Sequence, residues 1–255
     1  MKDLPDASVD MILTDLPYGT TECAWDEVIP MAALWEQYLR VAKPEAANLR
    51  VAKPEAAIVL TAAQPFTSML VMSRPDLFRY EWIWEKGNAT GFLNAKKQPL
   101  RAHESALVFY RKQPIYNPQM TAGHERKTTS RKTVNSECYG KALSLTQYDS
   151  TERYPRSVQF FSSDKQSGSF HPTQKPVALM RYLIETYTTP DQVVLDSCAG
   201  SGTTAVACAL SGRQSICIEQ ETKYLAVINE RIESALSQIA EASKQADLFG
   251  TGTAA

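Results

Sequence analysis

The sequence predicts an α/β fold with an open, mostly parallel sheet. Three observations carry this expectation. Short β-rich runs alternate with helix-patterned segments along most of the chain. A glycine-rich turn, Gly200-Ser201-Gly202, joins a strand-like run to a run of small helix-forming residues. One block, residues 111–165, interrupts the alternation and carries its own charge.

Met11–Thr14 reads as a buried strand. Pro30–Val41 reads as a helix, with proline in the first turn and Leu34, Tyr38 and Val41 on one face. Ala57–Ala62, Tyr80–Trp84 and Ser105–Arg111 follow as strands. After the charged block, Pro176–Tyr187 is a helix with Leu179, Met180, Leu183 and Ile184 inward, stopped before Pro190. Val193–Ser197 is a strand, Ser201–Ser211 a helix of small residues ended by Gly212, and Ser215–Glu219 another strand. The last helix is long, with Leu225, Ile228, Ile232, Leu236 and Ile239 in periodic step.

LRVAKPEAA occurs twice, at 39–47 and 49–57. Two copies are too few for a solenoid. Ten residues are not a whole number of helical turns, and Pro44 and Pro54 each stop a helix. The expectation is a local duplication: the first copy finishes the helix, the second feeds the strand, and the surplus bulges out.

The 255 residues, 44% hydrophobic and 22% charged, can build one core with an inserted lobe. A net charge of −1 shows no global basic excess. No apolar run approaches a membrane span and no signal peptide opens the chain, so a cytoplasmic protein is expected. The five cysteines include no Cys-x-x-Cys pair, and His103, His124 and His171 lie far apart. Neither a disulfide framework nor a metal site is expected. Residues 111–165 hold ten Lys/Arg and five Asp/Glu, so this block is +5 and the remainder −6. Tyr116, Tyr139, Tyr148 and Tyr154 are interleaved with its cations. A polyanion-binding insert and a solvated loop region both fit that pattern.

Asp196–Thr204 follows a strand and opens a helix. Gly200 and Gly202 permit a tight turn and close approach to a ligand, and the free amides at the helix start favour anionic groups. The loop lacks the Lys-Ser/Thr of a phosphate-binding loop and the third glycine of a dinucleotide fingerprint. Glu219 ends the next strand, where an acid can accept both hydroxyls of a ribose.

Four stretches, SVDMILTDLPYG (8–19), FHPTQKPVAL (170–179), LDSCAGSGTTAVA (195–207) and CIEQETKYLAVINERI (217–232), together resemble the S-adenosylmethionine-dependent DNA amino-methyltransferases. The motif order, base-binding motif first and cofactor loop last, resembles the permuted β class. The resemblance covers most of the chain except the basic block. It implies a permuted, seven-stranded-type methyltransferase sheet (Rossmann-like) and methyl transfer from S-adenosylmethionine to the exocyclic amine of adenine in double-stranded DNA, as in restriction-modification systems. Cytosine-amine methylation and a non-catalytic DNA-binding relic are the alternatives. Adenine is favoured because the motif begins with Asp, where cytosine-amine enzymes more often carry Ser.

On this resemblance Asp15, Leu16, Pro17 and Tyr18 form the catalytic motif. The Asp15 carboxylate and the Leu16 carbonyl would accept the two amine hydrogens. Pro17 holds Leu16 extended, and Tyr18 offers a π-face to the extruded base. Leu16 stands where the family usually has proline. Thr173 and Lys175 would contact the cofactor's carboxylate, and Pro176 would start the helix behind them. Asp196, Ala199, Gly200, Gly202 and Thr203 would line the cofactor loop, and Glu219 would hold its ribose. No metal is implied.

The implied layout is a catalytic half at 1–111, a target-recognition insert at 112–169, a cofactor-binding half at 170–241 and a flexible tail at 242–255. Family members usually carry an edge strand ending in Gly-Asp before the first motif. This chain begins Met1-Lys2-Asp3-Leu4-Pro5 without that strand, so the expectation is either a start that lies upstream or a sheet one edge strand short. In the tail, Gln245–Phe249 is similar to the short peptides that dock on the bacterial sliding clamp, a second candidate partner. A monomer or a homodimer is expected.

Overall fold

The computed structural model describes residues 1–23, 25–43, 55–131, 134–136, 140–142, 146–162 and 174–248. The chain divides into two compact units, Met1–Asn117 with Ser157–Ala255, and Pro118–Arg156. In chain order the strands are β1 (Met11–Asp15), β2 (Ala57–Ala62), β3 (Phe78–Thr90), β4 (Arg101–Phe109), β5 (Lys127–Arg131), β6 (Val134–Ser136), β7 (Gly140–Ala142), β8 (Thr146–Ser150), β9 (Val158–Phe161), β10 (Val193–Asp196) and β11 (Gln214–Cys217). The helices are α1 (Met31–Val41), α2 (Phe66–Ser73), α3 (Val177–Tyr187), α4 (Thr203–Leu210) and α5 (Thr222–Leu248).

The larger unit is built on a seven-stranded sheet in the order β11-β10-β1-β2-β4-β3-β9. Neighbours β11, β10, β1 and β2 run parallel, so their carboxyl ends share one edge. β4 is antiparallel to both β2 and β3, and β9 adds in parallel beyond β3. Met11 to Thr14 are all fully buried, as a parallel strand covered on both faces requires. Ile12, Ile58, Leu60, Leu107 and Phe109 pack with Leu34, Trp35, Tyr38 and Val41 of α1 and Phe66 and Leu70 of α2. Met11, Leu13, Val59 and Val108 face the other way, onto Leu179, Met180, Leu183 and Ile184 of α3. The alternation along each strand thus divides the core into two helix-covered layers.

Several elements differ from the sequence expectation. α2 was not expected: Phe-Thr-Ser-Met-Leu-Val-Met is apolar nearly all round, so it carries no 3.6-residue signature. The strand expected at 80–84 extends over Phe78–Thr90 and pairs with Arg101–Phe109 in a long hairpin closed by a 3₁₀ turn at Phe92–Asn94. The separate unit, Pro118–Arg156, is shorter than the expected insert 112–169, because β9 returns to the main sheet. Within that unit β5 pairs β8 and β6 pairs β7. The described sheet ends at β11 beside β10, and the seventh strand is added at the opposite edge by β9. α5 continues through Leu248, so residues 242–248, expected as flexible tail, are helical. Phe249 lies outside the described residues.

The duplicated stretch is used in the register of a single copy. α1 ends inside the first copy and β2 begins at the last residue of the second. Residues 44–54 lie outside the described residues. On either side of them, the Ala56 amide donates to the Lys43 carbonyl at 3.0 Å. Ala56 is the counterpart of Ala46, which within one copy stands three residues after Lys43. The chain therefore closes, across the duplication, the bond of a four-residue Lys-Pro-Glu-Ala turn.

Candidate active site

β1 carries Asp15 to the carboxyl edge, and the chain then turns away through Leu16, Pro17 and Tyr18. Asp15 Oδ1 accepts from the Tyr18 hydroxyl at 2.8 Å and from the Thr61 hydroxyl. Thr61 is the residue of β2 directly opposite Asp15. Asp15 Oδ2 accepts from Lys175 Nζ at 2.6 Å. Leu16 is 4% exposed and packs into the α1–α2 layer, so its side chain anchors the position that Pro17 already biases toward extended backbone. The Tyr18 ring stacks on Phe66, with centroids 5.1 Å apart and planes at 22°. Burial, reinforced by the Asp15 charge, holds the Tyr18 phenol well above its ordinary value, so it stays a donor.

Lys175 is buried just before α3. Burial alone would lower its ammonium, but the charges of Asp15 and Glu104 outweigh this and hold it well above the usual lysine range. Its Nζ lies 3.4 Å from Glu104 Oε2, an ion-pair contact, and 5.4 Å from the Tyr18 ring centroid. Glu104 also accepts from Lys86. Two cations and two carboxylates thus form a chain, Asp15–Lys175–Glu104–Lys86, with little solvent around it. On the outer side of the cleft, Asp26 accepts the amides of Gly19, Thr20 and Thr21 at 2.7–2.9 Å and ties down the loop after Tyr18. Burial would raise the Asp26 carboxyl, but these amides and the Thr21 hydroxyl together hold it below its ordinary value.

The facing wall is the loop after β10. Asp196 is 3% exposed and accepts the Thr204 hydroxyl at 2.6 Å and the Cys198 amide at 3.1 Å. Burial pushes its carboxyl up to about 6, with the Asp15 charge adding to the rise. Glu219, beyond β11, accepts the Gly200 amide at 2.7 Å and the Glu221 amide at 2.8 Å, which holds its carboxylate across the loop. Gly202 has φ +77°, and a Cβ there would lie 3.0 Å from Ile228, so both backbone and space demand glycine.

β1 and β10 are hydrogen-bonded neighbours, with Ile12 opposite Leu195, and the Ser197 amide donates to the Thr14 hydroxyl. The two motifs, 180 residues apart in sequence, therefore open onto one cleft of about 680 Å3. Asp15, Leu16, Pro17 and Tyr18 wall one side, Asp196, Ala199, Gly200, Thr203 and Glu219 the other, with Lys175 between them. Gly202 and Pro176 stand behind the wall as the N-caps of α4 and α3. Thr173 lies outside the described residues. Lys175, which the resemblance aims at a cofactor carboxylate, pairs with Asp15. Sequence reasoning missed Thr61, Glu104 and Asp26. Only strand register could have found Thr61, and Glu104 becomes visible only when the hairpin is paired. Among the described residues no group of three His, Cys, Asp or Glu is placed to hold a metal, and no helix is long and apolar enough to cross a membrane.

A sheet of this order, with a glycine loop and an acidic strand end at neighbouring carboxyl ends, defines an α/β protein whose ligands enter at that edge. The DNA methylase family model matches residues 9–230, and the chain belongs to that family. It is 44% identical over 61 residues to the type II methyltransferase M2.MboI of Moraxella bovis, which is 24% of this chain and 22% of that protein. It is 41% identical over 71 residues to the DNA adenine methyltransferase YhdJ of Escherichia coli K12, 28% of this chain and 24% of that one. These stretches span about a quarter of the curated relatives they match. A crystal structure of the M1.HpyAVI–SAM complex superposes with a TM-score of 0.59 at 23% identity, covering 91% of this chain and 90% of the other.

Proposed function

We propose that the chain transfers a methyl group from S-adenosylmethionine to the exocyclic amine of adenine in DNA. The observation that carries the reading is the pairing of β1 with β10, which sets Asp15-Leu16-Pro17-Tyr18 beside the glycine loop in one cleft. The cleft's volume, Gly200 on its lining and the Glu219 carboxylate across the loop suit an adenosine with a short charged tail. When bound, S-adenosylmethionine supplies an electrophilic methyl group on a sulfonium that leaves as a neutral thioether. Glu219 would hold the ribose hydroxyls, and the Gly200 turn would face the methionine side. The names of YhdJ and of the M1.HpyAVI complex agree with this assignment of base and donor.

An adenine amine is a poor nucleophile because its lone pair is delocalised into the ring. Asp15 and the Leu16 carbonyl accept its two hydrogens and turn the lone pair toward the methyl carbon. An ionised carboxylate has about four acceptor sites. Tyr18, Thr61 and Lys175 occupy three, which aims the remaining one. Lys175 thus serves Asp15 rather than the cofactor: its ammonium donates to Oδ2 and fixes the orientation of the carboxylate. With both hydrogens held by Asp15 and the Leu16 carbonyl, the proton lost from nitrogen on transfer would leave to solvent. The enzyme's contribution is orientation and a fixed polar field.

The test is mass spectrometry of nucleosides from unmethylated plasmid DNA incubated with protein and S-adenosylmethionine. N6-methyladenine is expected. N4-methylcytosine would move the chain to the cytosine-amine class, and no methylated base would overturn the assignment. The clamp-docking reading of Gln245–Phe249 is weakened by its setting, since Gln245–Leu248 form the last turn of α5 and would have to unwind to bind as an extended peptide.

A further inference from the structure

We propose that the tip of the β3–β4 hairpin is an apolar wedge that enters the base stack of duplex DNA beside the extruded base. The proposal rests on the DNA methyltransferase reading of the neighbouring cleft. Register places the tip. Asp15 is level with Thr61, and Thr61 with Ala106 of β4. Because β4 is antiparallel, its earlier residues run past the edge on which Asp15 sits, and β2 stops at Ala62, opposite Ser105. Arg101 therefore lies roughly 17 Å beyond the level of Asp15 at 3.3–3.4 Å per residue. The turn Phe92–Asn94 lies at the end of this overhang.

The tip is unlike an ordinary loop in two respects. First, it presents Phe92 and Leu93, 81% and 98% exposed, with Leu100 nearby. These side chains are held out by an ordered turn. Gly91 has φ +90° with open space around it, and the amides of Asn94 and Ala95 donate back to Gly91 and Phe92. Second, residues 86–103 contain Lys86, Lys96, Lys97 and Arg101 and no Asp or Glu. Lys96, Lys97 and Arg101 make no ion pair among the described residues. Two adjacent exposed apolar side chains inside a purely cationic rim match one surface: an apolar stack of bases flanked by phosphates. Extruding a base leaves such a gap, and a wedge that fills it favours the extruded state. The hairpin is also rooted at the site, since Glu104 at its base contacts Lys175, which holds Asp15.

The test uses the full chain. A Phe92→Trp variant adds an indole whose emission is quenched by stacking on bases. Titration with unmethylated duplex plasmid DNA should quench this added emission at least twofold, measured against the wild type under the same titration. Unchanged added emission at saturating DNA, or no duplex binding at all, overturns the proposal. Quenching without any methyl transfer would leave the wedge standing and overturn the methyltransferase reading; transfer without quenching would do the reverse. A Phe92→Ala/Leu93→Ala variant should keep the wild-type Tm, since neither side chain packs on the protein. It should methylate the duplex at least tenfold more slowly, and an unchanged rate overturns the wedge.

Discussion

At Asp15, one carboxylate collects a lysine, a threonine and a tyrosine, each delivered by a different element. Replacing it with asparagine keeps the shape but removes the charge that faces Lys175. Asp15→Asn should lower methyl transfer by about 10²–10³-fold, the scale of losing one aligned polar partner. Its affinity for S-adenosylmethionine, read by calorimetry, should stay within about twofold, because Asp15 belongs to the opposite wall. Asp196 offers a pH test. Its folded-state value of about 6 lies above the unfolded 3.8, so the folded form binds the proton more tightly. The resulting stabilisation is full below about pH 4 and is lost as pH rises through 6, roughly 3 kcal/mol for about two pK units. The Tm of Asp196→Asn minus that of the wild type should therefore increase from pH 4 to pH 7, and a flat difference would contradict the buried, proton-binding carboxyl. Asp15 and Asp196 were legible in the sequence because each ends a strand beside a turn motif. Thr61 and Glu104 were not: a lone threonine in an apolar strand and a glutamate in a hairpin have meaning only through their partners.

Among elements, the helix–strand junction at the duplication gives the sharpest expectation. Lys43 and Ala56 already bond as the ends of a four-residue turn do. Deleting residues 44–53 joins Lys43 to Pro54 and leaves proline and glutamate at the turn's centre, a favoured arrangement. Two doublings of loop length cost about 1 kcal/mol in closure entropy. The deletion should keep the Tm or raise it by up to about 4 °C, and a fall of several degrees would show that the removed residues pack. The repeat itself could be read in advance, and its use in the register of a single copy shows in the bond between Lys43 of the first copy and Ala56 of the second. Helix α2 and the hairpin overhang could not. A helix that is apolar nearly all round has no stripe to detect, and the polar overhang carries no core-facing alternation.

For the whole molecule, the strand–helix alternation sufficed to predict the sheet, because burial on both faces leaves continuous apolar runs. The smaller unit gave no such signal: its described strands form only short two-stranded pairs, β5 with β8 and β6 with β7. Its boundaries, Asn117 and Ser157, are close enough to bridge. The Asn117 amide donates to Thr186 and the Ile83 amide to Ser157, while the Trp82 indole bonds Tyr187. Replacing residues 118–156 with a short Gly-Ser linker should leave S-adenosylmethionine affinity within about threefold by calorimetry and sharply weaken duplex binding in a salt-dependent titration. Retained duplex affinity would transfer recognition to the larger unit. The hydrogen bond between Lys43 and Ala56 has a practical meaning as well. It seals the sheet's amino end, opposite the cleft, independently of what lies between its two partners. An affinity handle or fluorescent reporter inserted between Lys43 and Glu55 is therefore expected to leave both motifs of the cleft undisturbed, with unchanged S-adenosylmethionine affinity as the check.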